Sequence, residues 1–87
     1  MCEVSEIFEA AYWRLSAKVD PLGLEELLRN FQELAERDPA LAGYPHPYLE
    51  NALVFEGPSL VRLPRIMFVF SVDEVAGVVR LWNCRLL

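Results

Sequence analysis

The sequence predicts an α+β fold, in which an N-terminal helical hairpin packs on a small antiparallel β-meander. Apolar residues recur at helical spacing over residues 1–38, three prolines and a glycine mark a linker over 39–51, and strand-forming residues follow over 52–87. Because the helical and strand segments are segregated along the chain, the plan is α+β. The 87 residues suffice for one domain and no more.

The first helix is predicted from a single apolar face. Over residues 4–19 the apolar side chains fall at i, i+3, i+4, i+7, i+8, i+11 and i+15, close to the 3.6-residue period of a helix. Acidic residues occupy its first turns, while Arg14 and Lys18 lie near its end, and the helix dipole favours both signs. Residues 2–8 fit this helix better than a strand, although the sequence leaves a strand over residues 1–8 open.

The second helix has clear start and stop signals. Asp20 can cap it, Pro21 suits the first helical position, and leucines together with Phe31 form its apolar stripe. Pro39 ends it one or two residues earlier. The short turn between the helices predicts an antiparallel hairpin, and the linker over 39–51 has too many prolines for a regular element.

Four strands are predicted, over residues 52–56, 60–63, 65–72 and 78–86, with a turn at 73–77. In the third strand, alternation separates one face with Ile66, Phe68, Phe70 and Val72 from another with Arg65, Met67, Val69 and Ser71. In the last strand, it separates Val79 and Leu81 from Val78, Trp82 and Cys84. Since the helices can cover only one face of the sheet, the other face is predicted to meet a partner or to form a groove.

The composition restricts the classes of function. The net charge is −5, and residues 1–44 carry nine acids against four bases, so the chain is a poor nucleic-acid binder unless arginines cluster locally. The longest apolar run has five residues and the first residues lack a basic segment, so neither a membrane-spanning helix nor a secretory signal is expected. Cys2 and Cys84 lack disulfide-framework or metal-site spacing, which predicts a cytoplasmic, reduced protein without metal or cofactor.

Several short motifs have the order and spacing of a known family. They are Tyr12-Trp13, Gly43-Tyr44-Pro45-His46-Pro47, Arg62, Arg65-Ile66-Met67-Phe68 and Asn83-Cys84-Arg85. In these motifs the chain resembles the RelE/ParE superfamily of bacterial toxins, most closely its YoeB-like branch, with its Gly-x-Pro-Glu-Pro loop and Arg-Leu-Val-Tyr strand. The resemblance implies a toxin that enters the ribosomal A site, cleaves mRNA and is blocked by an antitoxin wrapped around it. ParE-like members instead poison DNA gyrase.

The resemblance implies catalytic roles for four residues. His46 stands where the branch has its general-base Glu, and an imidazole with a pKa of ~6.5 can also accept a proton at neutral pH. Arg65 stands at the central catalytic arginine, and Arg62 and Arg85 at neighbouring basic positions that would stabilise the phosphorane. The chain ends in two leucines where the family has a histidine that protonates the leaving oxygen. The resemblance therefore implies either a ribosome-dependent mRNA endonuclease or an inactive relative.

Each candidate residue also has a structural interpretation. His46, between two prolines, can simply shape its loop, Arg65 can pair with Glu56 or Asp73, and Cys84 is typical of a buried small hydrophobe. The arginines on predicted strands either cluster to bind phosphate or carboxylate, or keep the sheet edge soluble. The second functional hypothesis is a non-enzymatic module that uses its uncovered sheet face and acidic helices to dimerise or to bind a basic protein partner.

Overall fold

The computed structural model describes residues 2–38, 43–57 and 65–87. Along the chain it forms β1 (Cys2–Val4), α1 (Glu6–Ser16), α2 (Pro21–Arg37), β2 (Tyr44–Pro45), β3 (Leu53–Glu56), β4 (Ile66–Asp73) and β5 (Val78–Leu86). Both helices pack against one mixed sheet with the order β1-β5-β4-β3-β2, which confirms the α+β prediction. Neither of these helices has the length and hydropathy to cross a membrane. The predicted strand at 60–63, and Arg62 within it, lie outside the described residues.

The helices begin at side chains that cap them. Asp20 precedes α2, where its Oδ1 accepts a hydrogen bond from the Leu22 N–H at 3.2 Å and Pro21 takes the first position, as predicted. Ser5 precedes α1, and its Oγ accepts a hydrogen bond from the Phe8 N–H at 3.0 Å. Helix α1 therefore starts later than its apolar periodicity indicated.

The assignment of residues 2–8 to a helix is wrong at its beginning. Cys2–Val4 forms β1, which pairs in parallel with β5. Ser5 ends the strand, because its N–H donates to the Leu81 carbonyl at 2.9 Å and its hydroxyl donates to the Trp82 carbonyl at 3.0 Å. Three residues are too few to carry an alternation of their own, so only the pairing with β5 identifies this strand.

The remaining strands are antiparallel, as the meander prediction requires. The turn between β4 and β5 forms where predicted: Asp73 Oδ1 accepts the N–H groups of Val75 and Ala76 at 3.1 Å, and Gly77 has a φ of 67°. The linker departs from its prediction, because Tyr44–Pro45 forms the short strand β2 beside β3. A proline is tolerated there because β2 lies at the edge of the sheet.

The core lies between the helices and one face of the sheet, which we call the helix face. Phe31 of α2 packs on Phe68 and Phe70 of β4, with ring centroids 5.6 and 4.9 Å apart. Phe8 of α1 meets Phe68 edge-on at 5.6 Å. Among the described residues, no polar or charged side chain is buried. The helix face of β4 is thus the one that alternation predicted.

Strand β5 contains a bulge that alternation did not predict. Phe70 lies opposite Leu81, but the preceding residue Val69 lies opposite Asn83, so Trp82 is an additional residue in β5. Such a bulge shifts the alternation of side chains along the rest of the strand. Every residue after Trp82 therefore changes face relative to the sequence-based expectation.

The bulge decides which face receives the last residues of β5. Cys84 lies opposite Phe68 and joins the core, so its predicted position on the face away from Leu81 is wrong. Arg85 lies opposite Met67, on the face of the sheet turned away from the helices. We call that second face the open face, and it carries the candidate site.

Candidate functional site

The open face is crossed by two rows of facing side chains. One row joins Glu56 of β3, Met67 of β4 and Arg85 of β5. The next row joins Val54, Val69 and Asn83, and both valines are almost fully buried. An apolar strip therefore lies beside a strip that carries both signs of charge.

A cleft of about 320 Å³ opens on this face. It is lined by Tyr44, His46, Pro47, Tyr48, Val54, Met67, Arg85 and Leu87. The structure thus brings His46 of the loop after β2 and Arg85 of β5 to one site, as the resemblance implied. The apolar floor comes from Val54 and Met67, and the polar groups stand around it.

The hydrogen bonds of His46 determine what its ring can offer. Its Nδ1 accepts the backbone N–H groups of Tyr48 and Leu49, both at 3.1 Å, and its own N–H donates to the Ala52 carbonyl at 2.9 Å. With Nδ1 in use as an acceptor, the neutral ring carries its proton on Nε2. His46 therefore presents a hydrogen-bond donor, which suits an anionic ligand better than the general-base role that the resemblance implied.

Arg65 is held in a cluster with a carboxylate. Its guanidinium bonds to Glu56 Oε2, which is one of the two pairings that the structural interpretation of Arg65 foresaw. The hydroxyl of Tyr44 donates to Glu56 Oε1 at 2.6 Å. Tyr44 also lines the cleft, so it connects the cluster to that site. The charge of Arg65 is compensated by Glu56, whereas Arg85 has no ion pair among the described residues.

The same cluster sets the protonation of its members. Hydrogen bonds from Tyr44 and then from Arg65 lower the pKa of Glu56, so its carboxyl group is ionised at neutral pH. The hydrogen bond to Glu56 raises the pKa of Tyr44, so its phenol keeps its proton. The sequence analysis did not assign a site role to either residue. The alternation of β3, which places Glu56 on the open face with Val54, is the signal that would have found them.

The other arginine of β5 does not reach the cleft. Arg80 donates to Glu3 Oε2 from two nitrogens, at 3.1 and 3.2 Å, and lies 5.7 Å from the centre of the Trp82 ring. Trp82 in turn donates its indole N–H to Ser71 Oγ at 2.8 Å. These contacts tie β1 to β5 at the other end of the open face. The strand arginines are therefore divided between two ion pairs and the cleft, not gathered in one cluster.

A larger hollow of about 650 Å³ lies along the same loop, over residues 45–53, and is completed by Val72 and Glu74. Its charged side chains are the carboxylates of Glu50 and Glu74. An anion would be repelled there, whereas the cleft at Arg85 attracts one. The smaller cleft is therefore the better candidate site for an anionic ligand.

The thiols are not suited to nucleophilic chemistry. Burial raises the pKa of Cys84 to about 11, although the Arg14 guanidinium acts in the opposite direction. Burial also raises the pKa of Cys2. Both groups are neutral thiols at physiological pH, and Cys84 is a buried small hydrophobe, as its position in an apolar strand indicated. Over the described ranges, no three His, Cys, Asp or Glu side chains converge on a common metal position.

The cleft combines one cation, one imidazole N–H donor, tyrosine rings and an apolar floor. These groups suit a ligand with a phosphate and a planar base, which is the chemistry of single-stranded RNA. Comparison of the chain with protein-family models, with curated proteins and with solved structures finds no match. The functional argument therefore depends on the residues and the geometry described above.

Proposed function

We propose that the protein is a toxin-like component of a bacterial toxin–antitoxin system, which binds the backbone of ribosome-bound mRNA in the open-face cleft in the cytoplasm. The observation that carries the proposal is the meeting of His46 and Arg85 in that cleft. The resemblance to the RelE/ParE superfamily supports it. The strand β1 adds support, since the helical interpretation of residues 2–8 had left the family's first strand without an equivalent.

The groups of the cleft have complementary tasks in binding RNA. Arg85 donates to two oxygens of one phosphate, and the Nε2–H of His46 donates to the same group. Tyr48 is 89% exposed at the rim of the cleft, where its ring can stack on a nucleobase. Val54 and Met67 exclude water beneath the phosphate, which strengthens both hydrogen bonds.

The same groups favour binding over cleavage. A cleaving site must take the proton of the 2′-hydroxyl and give another to the leaving oxygen. Neutral His46 would become an imidazolate if it gave up its Nε2 proton, because Nδ1 holds two backbone N–H groups and no proton of its own. Glu56 is a weak base, because hydrogen bonds lower its pKa. Of the two forms that the resemblance implied, we therefore favour the inactive relative, which inhibits translation by occupying the mRNA.

In vitro translation with the purified protein tests the proposal. We expect a lower peptide yield, intact mRNA ends and recovery of the yield with Arg85→Ala. Arg29→Ala, on the exposed surface of α2, is the control that removes one cation elsewhere and should inhibit like the wild type. Cleaved mRNA ends that disappear with Arg85→Ala would support the endonuclease instead. Normal translation at every protein concentration would contradict a ribosomal target.

A second candidate function has its own observation. An apolar groove of about 220 Å³ lies between β1, α1 and α2 and is lined by Val4, Phe8, Glu9, Tyr12, Trp13 and Leu28. Trp13 and Ile7 are each 63% exposed in this region, and acidic residues of α1 surround them. An apolar surface with an acidic rim fits a protein interface. This observation supports the non-enzymatic binding module, either as a homodimer or with a basic partner.

Sedimentation equilibrium with the wild type and Trp13→Ala distinguishes the homodimer. A wild-type dimer that Trp13→Ala converts into a monomer would place the self-interface at this groove. Leu22→Ala is the control, since Leu22 is a 75% exposed apolar residue that does not line the groove. A wild type that stays monomeric at millimolar concentration would exclude the homodimer.

A further inference from the structure

A second basic pocket lies on the far side of Arg85 from the cleft. It has a volume of about 390 Å³ and lies between the C-terminal part of α1 and the last residues of β5. Its polar lining comes from Arg14, Lys18, Asn83 and Arg85, and Cys84 lies beside them. No carboxylate lines this α1–β5 pocket in the described part of the chain. The pocket is therefore positive in a protein whose net charge is −5.

The distribution of ion pairs makes this pocket unusual within the molecule. Seven lysine and arginine residues lie in the described ranges, and three of them form ion pairs: Arg29 with Glu25, Arg65 with Glu56 and Arg80 with Glu3. Of the four without an ion pair there, three line the α1–β5 pocket, and only Arg37 lies elsewhere. Uncompensated like charges repel one another, so an anion bound among them would relieve that repulsion.

The backbone around the pocket favours a small anion over an added strand. β1 pairs with β5 only as far as Leu81, so the later residues of β5 have no strand on that side among the described residues. The Cys84 N–H is already bonded to Asn83 Oδ1 at 2.9 Å, and α1 runs along the pocket. An acidic peptide strand would have to break that bond and displace α1. The amide NH₂ of Asn83 remains available to donate to a bound oxygen.

We propose that the α1–β5 pocket binds a phosphate of the RNA backbone, adjacent to the phosphate held in the cleft. This inference rests on the proposed function. Arg85 lines both sites, so one guanidinium lies between two neighbouring phosphates of the same strand. Arg14 and Lys18 supply the charge for the second phosphate, and Asn83 supplies a neutral donor. The RNA path thus crosses the end of β5 from the open face towards α1.

The test compares two double variants that remove the same charge. Arg14→Gln with Lys18→Gln empties the pocket of its own cations, and Arg29→Gln with Arg37→Gln removes two cations from α2. The probe is a fluorescently labelled uridine octanucleotide, and its affinity is measured by anisotropy from 50 to 300 mM salt. We expect about tenfold weaker binding for the pocket variant at low salt, because it loses a charge-assisted contact. Its slope of log affinity against log salt should fall by roughly 0.7, the value for one phosphate on a single strand.

The outcomes separate this inference from the proposed function. Equal affinity and slope for both double variants would overturn the second phosphate site, while loss of binding with Arg85→Ala would leave the cleft in place. No binding of the octanucleotide by the wild type would also overturn the inference, and the translation assay would then judge the cleft independently. Binding of an octaglutamate peptide that depends on Arg14 and Lys18, without RNA binding, would overturn it in favour of an acidic protein partner.

Discussion

The two faces of the sheet differ in nearly every physical respect. The helix face buries four phenylalanine rings and no polar group in the described part of the chain. The open face carries an ion pair, a phenol, an imidazole and the unpaired Arg85 around a cleft. The same strands supply both faces by alternation. The difference teaches that the stability of this small protein depends on one face, and that its ligand chemistry is confined to the other.

Phe31→Ala should break the comparison most strongly. Phe31 is fully buried and its ring meets three other phenylalanine rings, so its truncation leaves a cavity that costs about 3–5 kcal/mol. Met67→Ala on the open face is the control and should cost less than about 1.5 kcal/mol, because Met67 is only half-buried. Urea denaturation measures both free energies of unfolding. Equal losses would contradict the division of roles between the faces.

Gly43→Ala should have the next largest effect, because it acts on the wall of the cleft. A Cβ at Gly43 would overlap the Val54 carbonyl oxygen and lie 2.8 Å from the Phe70 ring. We expect a loss of about 1–3 kcal/mol as β2 moves away from β3. Gly77→Asn is the control, since its Cβ meets nothing within 4 Å and asparagine tolerates positive φ. Thermal unfolding of the two variants gives the comparison.

Alkaline pH should weaken the helix face through Cys84. Burial raises the pKa of its thiol to about 11, above the ordinary value of 9.0. The unfolded chain therefore releases this proton first, and the stability that Cys84 contributes is complete below pH 9 and decreases as the pH rises towards 11. The difference in unfolding free energy between wild type and Cys84→Ala should narrow from pH 8 to pH 10.5. A constant difference would mean that the thiol ionises equally in both states.

Acidic pH should weaken the open face, with the smallest of these effects. The pKa of Glu56 is below its ordinary value of 4.5, because Tyr44 and Arg65 bond its carboxylate. The unfolded chain therefore binds this proton first as the pH falls, so the contribution of Glu56 is complete above pH 4.5 and is lost through its lower native pKa. The urea midpoints of wild type and Glu56→Gln should converge between pH 6 and pH 3. Midpoints that stay apart at pH 3 would contradict the cause assigned here.

The parts of the fold with strong local signals were predictable. Helix α2 follows from its Asp20–Pro21 start and its leucine stripe, and β4 follows from its alternation. The short strands β1 and β2 were not predictable, because two or three residues acquire strand geometry only by pairing with β5 and β3. The wrong face for Cys84 has one cause: alternation carries no information about the additional residue Trp82.

The candidate site was predictable in part. His46 and Arg85 were chosen from motifs, and the structure places both in the cleft. Arg65 was chosen as a catalytic arginine, but Glu56 compensates its charge. The tautomer of His46 depends on the N–H groups of Tyr48 and Leu49, which a sequence motif does not specify. The roles of Arg65 and His46 therefore depend on contacts that only the folded loop and strands provide.

Nuclear magnetic resonance with the uridine octanucleotide tests most directly whether the open face binds RNA. The account predicts that titration shifts the side-chain signals of His46 and Arg85 most strongly, leaves the Trp13 indole signal unchanged, and has no effect on Arg85→Ala. The Trp13 signal reports on the apolar groove at the helices, so it distinguishes the two candidate surfaces in one spectrum. Shifts centred on Trp13, or shifts that persist in Arg85→Ala, would contradict the account.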